Sequence, residues 1–101
     1  MAQFGAHRFG DGLVIDCQSG LLIQLDSRFV VPLVRSSEAP KVAQRLNPIF
    51  QIDGQDYVMF TQAAAAVRRR ELGSVIVSLA DRSFEITGAF EVSPESWTLT
   101  N

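Results

Sequence analysis

The sequence predicts a mainly β domain, a small antiparallel barrel or sandwich. Three observations carry this: short Val/Ile/Leu/Phe-rich runs at close spacing, turn-prone residues between them, and one Asp-Gly flanked by alternating apolar residues. A chain of 101 residues fits one domain, because two cores would each bury too little apolar surface. Its 47% apolar and 20% charged residues are those of a folding globular protein.

Segments 13–17, 21–25 and 29–34 read as successive strands, separated by Gln18-Ser19-Gly20 and Asp26-Ser27-Arg28. Runs such as Leu13-Val14-Ile15 and Phe29-Val30-Val31 suggest strands covered on both faces or wrapped around a barrel interior. From Ser37 to Leu46 a short helix and a loop are equally compatible, Pro40 being tolerated in a first helical turn. Ile49-Phe50-Gln51-Ile52, then Asp53-Gly54, then the alternation from Gln55 to Thr61 predict a hairpin, since Asp-Gly accepts the positive φ angles of a tight turn. The run 63–66 has helix propensity but is short, and its state is open. Val75-Ile76-Val77 reads as a short strand. Residues 83–92 satisfy two periods at once. They alternate around Gly88 like a hairpin, while Asp81 can cap a helix on which Ile86, Ala89 and Phe90 share a face; local rules slightly favour the hairpin.

No apolar run reaches the ~18 residues of a membrane helix, and the N-terminal residues have neither basic flank nor apolar signal core. The expected location is the cytoplasm. A single cysteine, Cys17, allows no internal disulfide and no cysteine-based zinc site. It reads as a small buried hydrophobe, and the lone His7 as structural or exposed. A net charge of −2 argues against direct nucleic-acid binding, and Arg68-Arg69-Arg70-Glu71 reads as a solvated face. No phosphate-cradling loop or metal-ligand spacing appears, so no cofactor is inferred.

Taken in order, Gln3-Phe4, Leu13-Val14-Ile15-Asp16-Cys17-Gln18-Ser19, Val30-Val31-Pro32-Leu33, Leu46-Asn47-Pro48, Ile52-Asp53-Gly54, Thr61 and Leu72-Gly73 resemble the CcdB family of toxins from toxin–antitoxin modules. The resemblance runs to about Val92. It implies an SH3-like antiparallel barrel with a C-terminal α-helix at roughly 81–92, which displaces the hairpin reading. Gly88 costs that helix about 1 kcal/mol relative to alanine. It further implies a homodimer that binds the A subunit of DNA gyrase and is neutralised by a CcdA-like antitoxin, acting by binding and not as an enzyme. The gyrase-facing residues would be Ser19, Leu21, Phe90, Glu91 and Trp97; the antitoxin-binding ones Pro40, Lys41, Val42, Arg45 and Leu46, a mixed cationic and apolar segment suited to an acidic amphipathic tail. Pro94 should end the helix, leaving a polar tail through Asn101 where the family's is apolar. Two other readings stay open. One is a toxin-like module that has lost gyrase poisoning and keeps antitoxin binding. The other is a MazF-like endoribonuclease built on Arg28 with Ser27 or Thr61.

Overall fold

The computed structural model of the chain describes residues 3–18, 26–39 and 46–99, with 92–99 as backbone only. Among the described residues seven strands form one antiparallel sheet: β1 (Gly5–Phe9), β2 (Gly12–Asp16), β3 (Ser27–Arg35), β4 (Ile49–Ile52), β5 (Gln55–Met59), β6 (Ala65–Arg68) and β7 (Val75–Ser78). A C-terminal helix, α1 (Ser83–Leu99), follows. The strand order is β4-β5-β3-β2-β1-β7, with β6 also on β3. The architecture is the mainly β one expected, a curled sheet carrying one C-terminal helix.

β3 is the spine. Along one edge it pairs with β2, Ile15 opposite Val31. Along the other it pairs first with β6, Phe29 opposite Ala66, and then with β5, Leu33 opposite Met59. β5 and β6 thus act as one strand broken by the 3-10 turn Thr61–Ala63. The break falls opposite Pro32, which has no N–H to contribute to a ladder but whose carbonyl accepts the Phe60 N–H at 2.9 Å. The helix propensity of the alanine run is overridden here, because β3 offers its edge to Ala65 and Ala66.

One face of the curl buries Ala6, Ile15, Val31, Leu33, Phe50, Ile52 and Met59, and α1 closes it with Ile86 and Ala89, both fully buried. At ~25 cal/mol per Å² of apolar surface, a buried Ile or Phe side chain contributes roughly 1.5–3 kcal/mol. Phe4 enters this core from a left-handed backbone position, φ 69°, held by its N–H on the Asp16 carbonyl and by the Leu79 N–H on its own carbonyl.

The Asp53-Gly54 turn forms as its chemistry predicts, with φ of 53° and 76°. The expected strand 21–25 lies outside the described residues, as do 40–45. Of the segment beginning at Ser37, the structure describes a 3-10 turn, Ser36–Glu38, and extended backbone at Ala39. Two expectations at the C-terminus are corrected. Asp81 lies inside a 3-10 turn, Ala80–Arg82, and α1 begins after it. Nor does Pro94 end the helix, which continues to Leu99. A proline removes one backbone hydrogen bond, here to the Phe90 carbonyl, and bends a helix without unwinding the turns on both sides.

Candidate functional site

The described residues singled out from sequence fall in two places. The first is α1. Phe90 is half-buried, its ring 5.6 Å from that of Phe29 on β3 at an interplanar angle of 42°, the tilted geometry that aromatic pairs prefer. Glu91 follows it on the exposed side. Phe84, the second residue of the helix, is 91% exposed. Trp97 lies within α1, where only the backbone is described. Ser19 and Leu21 lie outside the described residues.

α1 is set on the barrel by Arg82. Its guanidinium lies 4.6 Å from the Phe50 ring centroid, donates to the Ile49 carbonyl at 3.1 Å and forms a two-pronged ion pair with Glu85. The hydrogen bond from Arg82 holds the Glu85 carboxyl below its ordinary range, more than the bare charge does.

The second is the end of the 40–46 segment. Of the residues assigned there, Pro40, Lys41, Val42 and Arg45 lie outside the described residues, and Leu46 is half-buried. Its carbonyl accepts the Thr61 hydroxyl at 2.6 Å. Asn47, 1% exposed, donates to the Met59 carbonyl at 3.1 Å and to Gln62 Oε1 at 2.6 Å. The segment is therefore anchored at its C-terminal end onto the break between β5 and β6.

Between β2 and β3 lies a buried polar corner. Asp16 Oδ1 accepts the Gln18 N–H at 2.9 Å. The Gln18 amide reaches β3, donating to the Ser27 carbonyl at 3.0 Å and accepting the Phe29 N–H at 2.9 Å. A side chain here substitutes for a rung of the ladder beyond the end of β2. Arg28, bracketed by those two contacts, is 2% exposed, and Thr61 is fully buried. Neither is presented to a nucleic acid, so the endoribonuclease reading loses its cation and one of its two partners; Ser27 alone is exposed.

Burial pushes the Cys17 thiol up to about 12, with the Asp16 charge adding to it, so the sulfur is no nucleophile. His7, 1% exposed, places Nδ1 3.1 Å from the Gly73 carbonyl and ties β1 to the 72–74 loop. Among the described residues no group of three or more His, Cys, Asp or Glu could hold a metal ion, and no helix is long and apolar enough to cross a membrane.

The sequence model of the CcdB protein family matches residues 4–93, from the left-handed Phe4 through the barrel and into α1. The chain belongs to the CcdB family. That family consists of non-catalytic toxins of toxin–antitoxin modules. No curated protein matches the CcdB-family chain.

Sequence reasoning missed Phe29 and Phe84. The exposure of Phe84 follows once a helix is assumed, because it then lies about 200° around the axis from Ile86. Nothing local marks Phe29 as the partner of Phe90.

Proposed function

We propose that the protein is the toxin of a type II toxin–antitoxin module that inhibits DNA gyrase by binding its A subunit, acting in the cytoplasm as a homodimer and neutralised by a CcdA-like antitoxin. The family match over residues 4–93 carries the reading. The site supports it in two respects. Phe90 and Glu91 lie on a helix fixed to the barrel by Arg82 and Phe29, and Phe84 adds a large exposed apolar side chain of the kind that anchors interfaces. Trp97, at the far end of the same helix, and Ser19 and Leu21 complete the proposed gyrase-facing set. Pro40, Lys41, Val42, Arg45 and Leu46 form the proposed antitoxin segment, whose end is pinned through Asn47.

Purified protein should block gyrase supercoiling and accumulate cleaved DNA complexes; no effect at high micromolar concentration would sink the proposal. A second reading has a specific observation behind it. Residues 94–101 lie beyond the matched region and are mostly polar, which fits a module that keeps antitoxin binding without poisoning. Tight binding of a CcdA-like peptide by a protein that leaves growth and gyrase untouched would decide for it.

A further inference from the structure

β6 and the turn after it place three consecutive cations on the surface. Arg68 ends β6, and Arg69 and Arg70 open the 3-10 turn Arg69–Glu71. All three are exposed, and none has an ion-pair partner among the described residues. The adjoining carboxylate is engaged with the backbone, Glu71 Oε1 accepting the Arg68 N–H at 3.1 Å. The three guanidinium groups are left to solvent.

The backbone that carries them is held on both sides. The Arg69 N–H donates to the Asp26 carbonyl at 2.7 Å, and the Leu72 N–H to the Arg69 carbonyl at 3.1 Å. Beyond the turn the Gly73 N–H donates to the Arg8 carbonyl at 2.7 Å, and the Gly73 carbonyl meets His7 Nδ1. Glycine permits that approach, since a Cβ at 73 would meet the Arg8 Cβ and carbonyl oxygen at 3.0 Å. With the turn fixed in advance, binding has only the arginine side chains left to order.

Strand register decides which surface the arginines join. Arg68 pairs with Ser27 as Ala66 pairs with Phe29, so by alternation Arg68 takes the face that carries Phe29. Phe90 of α1 packs on that same ring. The arginines therefore border the helix proposed to face gyrase, whose own substrate is duplex DNA.

From 68 to 74 every exposed residue is charged, polar or glycine, which leaves no exposed large apolar side chain to anchor a protein partner. A DNA duplex instead offers a dense row of anions, about one charge per 1.7 Å of axis, and a guanidinium matches phosphate through two parallel hydrogen bonds. The net charge of −2 gives the whole chain no attractive long-range field, but three arginines against Asp26 and Glu71 leave this turn one positive charge in excess.

We infer that Arg68, Arg69 and Arg70 bind the phosphate backbone of duplex DNA without reading its sequence. The inference rests on the gyrase reading only for which duplex the protein meets.

The test follows the fluorescence anisotropy of a short labelled duplex titrated with the full-length protein, without gyrase. Binding should saturate at about 50 mM salt and weaken as salt rises, with a log–log slope of about −3 for three phosphates. Arg68→Gln with Arg69→Gln and Arg70→Gln should weaken it about tenfold or more at an unchanged melting temperature. Glu71→Gln, which keeps an oxygen for the Arg68 N–H, should tighten it about twofold. Arg35→Gln removes an exposed charge at the opposite end of β3 and should change it by under about twofold. No binding at submillimolar protein, a triple variant that binds as the wild type does, a loss from Arg35→Gln as large as that from the triple variant, or displacement by polyglutamate as readily as by unlabelled duplex would each overturn the inference. A protein that inhibits gyrase and ignores the duplex refutes this inference alone. One that binds the duplex through these arginines and leaves gyrase untouched supports it and refutes only the gyrase reading.

Discussion

Arg82 lies over the face of Phe50 while its guanidinium reaches the carbonyl of the neighbouring residue, Ile49. One side chain at the start of α1 thus grips both the core and the open edge of the sheet. Arg82→Ala should cost about 1–2 kcal/mol in urea unfolding, from a cation–π contact and a hydrogen bond lost at a part-exposed site. Arg82→Lys should recover only part of this, since an ammonium cannot reach the carbonyl and both carboxylate oxygens at once. The Glu85 arm is pH-dependent. Its carboxyl is held below the ordinary 4.5, so its contribution is complete above that value and is lost as pH falls through the lower folded one. Acid titrations of Glu85→Gln should lack this small component.

Cys17 makes the opposite prediction at high pH. Its thiol ionises near 9.0 when unfolded and near 12 when folded. The associated stability is full below pH 9 and declines as pH rises from there toward 12, because only the unfolded chain then loses the proton. Cys17→Ala should flatten the alkaline limb of the stability profile. Thiol labelling of the native protein at pH 8 should be much slower than that of the unfolded chain, because the half-buried thiol stays protonated; equal rates would contradict the raised value.

Asn47 holds the end of the 40–46 segment through bonds to Met59 and Gln62. Asn47→Ala leaves the Met59 carbonyl unsatisfied in a buried site and should destabilise by about 2–3 kcal/mol. Gln62→Ala, at an exposed position, should cost under about 1 kcal/mol. Equal effects of the two would mean that the anchor is not where the geometry locates it.

Phe84 and Ile86 separate docking from folding. Ile86→Ala empties a fully buried position and should cost about 2–4 kcal/mol. Phe84→Ser, at a side chain 91% exposed, should change stability by under about 0.5 kcal/mol. If the proposed gyrase contact uses this helix face, the same substitution weakens inhibition of supercoiling while the melting temperature stays put.

The parts of the fold legible in the sequence are those whose causes are local. Asp53-Gly54 announced its hairpin because both residues tolerate positive φ, and the apolar runs of β2 and β3 announced strands. Residues 83–92 could not be resolved that way. Ile86, Ala89 and Phe90 suit a helix, Phe84 and Ile86 suit a strand, and the choice rests on which of them the barrel buries. β6 was equally hidden, since an alanine run becomes a strand only where β3 has a vacant edge. Phe90, Glu91 and Leu46 were singled out by the family resemblance alone, whereas the Gln18 side chain standing in for a ladder rung and the burial of Arg28 depend on strands distant in sequence. Pro94 misled because a rule about one missing hydrogen bond was applied to the whole helix.

The broken strand alongside β3 has a consequence for how the chain comes into being on the ribosome. Ser27 waits for Arg68 and Arg35 for Tyr57, so the central strand stays half-paired until two-thirds of the protein has emerged. Pairings so remote in sequence are slow to form. A truncated product lacking β6 would expose the Phe29 end of β3 as a bare apolar edge, the kind of surface on which chains aggregate.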